Sequence, residues 1–126
     1  MSRKDKHTPE RRVLEDERLG LTLKCRACGF KFYVTVNFFG TPKYQLEPAE
    51  VFIRIAKEGS TVAGFIEALA ITISIALQYG VPWEVLYDKY LHQIFEPRDD
   101  KYSSLVDAIG KAITEVIKKW KVINEN

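Results

Sequence analysis

The stretch that most constrains this chain runs from Val51 to Phe95, and its centre is one long apolar segment. Val62, Phe65, Ile66, Leu69, Ala70, Ile73, Ala76 and Leu77 recur at spacings of three and four. That spacing predicts a helix with one broad apolar face, which must be covered. A short strand precedes it, and the turn Lys57-Glu58-Gly59-Ser60 separates the two. Gly59 supplies conformational freedom there, and Ser60 or Thr61 is placed to cap the first amides. Such a start serves either as a plain N-cap or as a cradle for an anion; no P-loop and no full G-x-G-x-x-G accompanies it.

Ahead of this segment the pattern changes to alternation. Leu21, Leu23 and Cys25 share one side of a first strand; Phe30, Phe32, Val34 and Val36 alternate with Lys31, Tyr33, Thr35 and Asn37 in a second. Arg26-Ala27-Cys28-Gly29 joins them as a hairpin, Phe39 to Pro48 reads as an exposed loop, and Glu50 to Ala56 returns as a third antiparallel strand. Residues 1–17 are polar and broken by Pro9, which predicts a flexible arm before a single domain over 18–123. Gly80 marks the end of the central helix, and Pro82 opens a second that runs to about Gln93. Ser104 to Asp107 announces a third, with the stripe Leu105, Ile109, Ile113, Val116, Ile117 and Trp120. The expected fold class is α+β: a small antiparallel sheet of about three strands, packed on one face by two or three C-terminal helices. The apolar faces exceed what one sheet covers, so a homo-oligomer is expected, a dimer or a multiple of dimers, with Val116, Trp120 and Val122 as contacts.

With 126 residues, 46% of them hydrophobic, the chain suffices for one real core and is too short for a large catalytic barrel. A net charge of +2 without any block of like charge argues against nucleic acid. No apolar leader follows Met1, and the best apolar run carries Thr72 and Ser74, so a cytoplasmic protein without membrane partners is expected. Cys25 and Cys28 have the spacing of one zinc knuckle. Zinc takes four ligands, and neither His7 nor His92 lies in a second knuckle. No metal and no cofactor are therefore expected. With no G-x-S-x-G elbow and no carboxylates held at a catalytic separation, the chain does not read as an enzyme.

A polar ligand is a different matter. Arg54, the Gly59-Ser60-Thr61 helix start, Arg98 and Lys101 offer donors for phosphate, and Trp83, Tyr87 and Phe95 offer flat faces for a base, with His92 nearby in sequence. Tyr33, Phe38, Phe39, Tyr44 and Tyr90 add further aromatic surface.

The run from Glu50 to Thr61, then Leu77 to Pro82, Phe95-Glu96-Pro97 and Ser103 to Asp107, resembles the TSCPD domain, over roughly Leu19 to Ala112. That domain lies in the C-terminal part of adenosylcobalamin-dependent ribonucleotide reductases. The likeness does not extend to the reductase barrel, its radical-bearing cysteine or the cobalamin region, so reductase chemistry is not implied. Before Phe-Glu-Pro the reductases usually read like Asn-Thr-Arg, and this chain has His92-Gln93-Ile94. In size and layout the chain is also similar to phage Thoeris anti-defence sponges of the first type, which bind cyclic ADP-ribose-type signals, and in some cases cyclic oligonucleotides, without cleaving them. That likeness implies a homo-oligomer sequestering a small cyclic nucleotide through the residues named above. The alternative implied by the reductases is an accessory or regulatory module of ribonucleotide reductase acting in trans.

Overall fold

The structure, a computed structural model, describes residues 9–56 and 59–125. Three strands, β1 (Leu19–Ala27), β2 (Phe30–Phe38) and β3 (Pro48–Ile55), precede three helices, α1 (Thr61–Gln78), α2 (Trp83–Tyr90) and α3 (Leu105–Ile123). The strands form one antiparallel sheet in the order β1-β2-β3, an α+β arrangement of the expected kind. The hairpin is tighter than the sequence implies, because β1 continues through Ala27 and leaves a two-residue turn. Cys28 and Gly29 both take positive φ, 55° and 82°, the geometry that matches the twist of the strands it joins.

Alternation in β2 decides which face of the sheet is covered. Phe32, Val34, Val36 and Phe38 are buried on one face, and α3 packs against them through Leu105, Ile109, Ile113, Val116 and Ile117. Ser104 caps this helix by accepting from the Asp107 amide at 3.1 Å. Trp120 stacks on Phe38 at 4.6 Å with the rings 4° apart. Val116, buried between α3 and the sheet, is thus closed to a second copy, which corrects its expected role as a contact, while Trp120 is half-buried on Phe38.

α1 does not lie on the same face. It runs along the free edge of β3, where the Ser74 hydroxyl accepts from the Val51 amide at 2.9 Å and Gln78 Nε2 donates to the Ala49 carbonyl at 3.0 Å. Covering the edge this way satisfies backbone groups that would otherwise template another strand. Only Ile66, Ala70, Ile73, Leu77 and Gln78 are buried on α1; Val62 and Phe65, expected on its inner face, are exposed. The helix ends where Gly80, at φ 90°, donates to Leu77 and Val81 donates to Ala76, a paired cap that only a residue tolerant of positive φ completes cheaply. The second face of the sheet stays open.

Of the arm, residues 1–8 lie outside the described residues, as do Lys57 and Glu58 of the turn before α1. Residues 11–18 are fastened down: the Arg12 amide donates to the Gln78 carbonyl at 2.8 Å, and its guanidinium meets Glu47 at 2.8 Å while lying 4.0 Å from the Tyr44 ring centre.

Candidate functional site

A groove of about 1380 Å³ lies between the open sheet face and α1. Its floor follows from register. Tyr33 pairs with Arg54 and Thr35 with Phe52 across β2 and β3, while Thr22 and Thr35 share a hydroxyl hydrogen bond of 2.7 Å across β1 and β2. Ala63, Glu67, Ile71 and Ser74 of α1 form the wall. At one end stand Arg54, Gly59 and Ser60; Gly59 takes φ 78°, and the Ser60 hydroxyl accepts from the Ala63 amide at 3.1 Å. That is a true N-cap, and it leaves the partial positive charge of the first turn facing the same end as Arg54. Thr61 is the first residue of the helix and is exposed.

The other end is polar and internally matched. Buried Glu50 accepts two bonds from Arg18 Nη1, at 3.0 and 2.9 Å, and one from Asn37 Nδ2 at 2.9 Å. Arg11 Nε donates to Gln78 Oε1 at 2.7 Å. These residues escaped the sequence reading because each bond spans at least thirteen positions. Tyr33 was partly legible, since the alternation that buries Val34 and Val36 turns Tyr33 and Thr35 the other way.

The remaining expected residues do not line this groove. Trp83 is only 4% exposed and donates through Nε1 to Thr114 at 2.9 Å, so its ring is closed to a base. Tyr87 stacks beside it at 6.0 Å and lies so near Gly110 that a Cβ there would stand 3.2 Å from its ring. Both are packing residues between α2 and α3. His92 takes φ 64° and donates its amide to Asp107 Oδ1 at 3.0 Å; Arg98 is paired with Glu96 at 3.0 Å, and the Lys101 ammonium lies 5.5 Å from the Tyr102 ring. Phe95 is 44% exposed, in the same loop. The expected set thus divides: Arg54, Gly59 and Ser60 at the groove with Thr61 beside them, and Trp83, Tyr87, His92, Phe95, Arg98 and Lys101 around α2 and the loop leading to α3.

Two carboxylates organise that second region. Asp107 is fully buried; burial raises its pKa most, but the amides of His92 and Ser103 and the Lys111 ammonium at 3.0 Å outweigh it, and the carboxyl titrates below the ordinary range. Asp99 accepts amide bonds from Cys28 at 2.7 Å, Tyr102 at 2.7 Å and Lys101 at 2.9 Å, which lower its pKa and tie the loop to the hairpin turn. Asp99 is therefore a structural tie between the loop and the hairpin turn. Burial pushes both thiols up, Cys28 further helped by the Asp99 charge, so neither is a reactive thiolate by itself. Among the described residues no group of three His, Cys, Asp or Glu side chains is arranged to hold a metal ion.

The TSCPD domain family matches residues 6–117. This chain belongs to that family. Its TSCPD fold is similar in sequence to part of the vitamin B12-dependent ribonucleotide reductase of Rhodopirellula baltica, 36% identical over 114 residues, 90% of this chain and 10% of that protein. The corresponding protein of Streptantibioticus cattleyicolor is 38% identical over 91 residues, 72% of this chain and 14% of the relative. That of Agrobacterium fabrum is 36% identical over 88 residues, 70% and 7% respectively. The TSCPD chain thus spans a small fraction of the length of these relatives. No solved structure matches it.

Proposed function

We propose that this TSCPD domain is a non-catalytic binding module that holds a phosphorylated nucleotide in the groove between α1 and the open sheet face. One observation carries the reading: register and helix capping bring Arg54 and the Ser60-capped start of α1 to one end of a groove floored by Tyr33 and Phe52. Phosphate belongs at the cationic end and the base on the aromatic floor. The finer reading is sequestration of a cyclic ADP-ribose-type or cyclic oligonucleotide signal in the cytoplasm, as in the anti-defence sponges the chain resembles, with release of the signal intact. Binding at micromolar strength asks for about 8 kcal/mol, within reach of charge-assisted phosphate contacts plus stacking.

The test is thermal shift against cyclic ADP-ribose isomers, cyclic dinucleotides and ADP-ribose, followed by mass spectrometry of whatever heat releases. A ligand at 100 times its dissociation constant adds about 2.7 kcal/mol of apparent stability, and Arg54→Ala should remove most of that gain. No shift with any of these compounds, or recovery of a hydrolysed product, refutes the reading.

A second reading rests on the 36% identity to a ribonucleotide reductase over 90% of this chain: an accessory or regulatory module acting on a reductase in trans. It predicts that the chain retains a reductase subunit in a pull-down and gives no calorimetric signal with nucleotides.

A further inference from the structure

The outer half of α1 is the least explained surface of the molecule. The helix has 18 residues with a mean hydropathy of 1.7, yet 28% of it is buried. A helix apolar on all sides is normally enclosed on all sides. Phe65 is 74% exposed, and Val62 and Tyr79 are exposed with it, while Ile75 stands at the rim that the helix shares with the groove. At about 150–250 Å² for a large side chain, these leave on the order of 350 Å² of apolar surface together. That lies within the range of the largest patch on a typical monomer, about 300–600 Å², and is most of the apolar share of a standard interface burying about 800 Å² per partner.

Charge and shape then select the occupant. Glu67 is the only charged residue of α1, so the partner surface must itself be almost uncharged. The outer side of α3 does not qualify, since Glu115, Lys118, Lys119 and Lys121 are exposed there. The face that does qualify is α1 itself. Gly64, Ala68 and Thr72 recur every fourth residue along the exposed side, and a Cβ added at Gly64 would meet nothing within 4 Å. Small residues in such a row let two helices approach to about 8 Å.

We propose that two copies of this chain associate through α1, outer face against outer face, about a two-fold axis passing near Ala68. The contact is isologous, so each Phe65 finds the same apolar surface on the partner. A bilayer is the poorer occupant, because Ser74 and Gln78 bind α1 to the β3 edge and Ile66, Ile73 and Leu77 hold it in the core. The inference does not rest on the nucleotide reading.

Sedimentation velocity over a concentration series tests it. The expected mass is twice the 14.5 kDa of the chain. Ala68→Glu should weaken association about 100-fold or more, because it buries unpaired charges against each other, while far-UV circular dichroism stays unchanged and Lys119→Glu leaves the dimer intact. Ala68→Cys should cross-link under mild oxidation, as residues astride a two-fold axis do when their Cα atoms lie within about 7 Å; this variant decides the matter if Ala68→Glu misfolds. A wild-type chain that stays monomeric throughout overturns the proposal. So does a dimer that survives Ala68→Glu, or a monomer that floats with vesicles of mixed phosphatidylcholine and phosphatidylglycerol.

Discussion

α1 and α3 are nearly equal in length, 18 and 19 residues, and they teach opposite lessons about how a helix finds its place. α3 carries lysines and a glutamate along one side and Leu105, Ile109, Ile113, Val116 and Ile117 along the other, so only one orientation buries its apolar stripe without desolvating charge. α1 has apolar residues all round and one charge. Hydrophobicity alone therefore leaves its rotation almost undetermined, and directional bonds decide it: the Ser74 hydroxyl and the Gln78 amide meet the edge of β3 and turn Ile66, Ala70, Ile73 and Leu77 inward. In one helix the apolar stripe selects the face; in the other two polar side chains do.

That contrast breaks most visibly at Ile113 and Phe65. Ile113→Ala should lower stability by about 2–5 kcal/mol at every protein concentration, as cavities in a close-packed core do. Phe65→Ala should lose its effect on dilution, falling below about 0.5 kcal/mol for the monomer, as expected of an exposed side chain. Denaturant titrations at two protein concentrations compare them; an equal, concentration-independent cost would place Phe65 in a packed core and erase the distinction.

Asp107 sharpens the α3 side. Asp107→Asn should cost about 2–3 kcal/mol, because the charge-assisted bonds to the His92 and Ser103 amides and to Lys111 are weakened in a buried site. The folded carboxyl titrates below its ordinary value of 3.8. Its contribution is therefore fully present above pH 3.8 and is lost as pH falls through the lower folded value. Wild-type stability should decline over that acid window more steeply than the variant's; parallel curves measured by denaturation from pH 5 downward would show that Asp107 is not the group responsible.

On the α1 side, Ser74→Ala should cost about 1–2 kcal/mol by leaving the Val51 amide without its partner, and it should raise the hydrogen-exchange rate at Val51 first. Thr72→Ala, a substitution at an exposed position two residues away, should cost under about 0.5 kcal/mol in the dilute monomer. If the two variants melt together, directional bonds do not set the rotation of α1. Ser60→Ala should cost about 1 kcal/mol through the lost cap on Ala63, read from the same melts.

How much of this was legible in the chain can be judged element by element. The strands, the Ser104 cap and the α3 stripe were readable because local periodicity and capping chemistry act over a few residues. Arg54, Gly59 and Ser60 were readable as one end of a groove for the same reason: they flank a single turn. The rest of the candidate site was not. Trp83 and Tyr87 have the composition of a base platform, but Thr114 and Gly110 on another helix claim them. Asp107, read as a cap residue, is a buried acceptor only because His92, fifteen positions earlier, is folded back onto it.

By itself the sequence determined an α+β domain of the TSCPD family, the order of its elements and the face of the sheet that α3 covers, because alternation and helical periodicity are local signals that each segment carries alone. Only the tertiary structure decided that α1 lies on the β3 edge, that Tyr33 and Arg54 share an open face, and that an apolar helix keeps half its circumference uncovered. Those outcomes depend on hydrogen bonds and packing between residues tens of positions apart, and no periodicity in one segment encodes which distant partner will satisfy it.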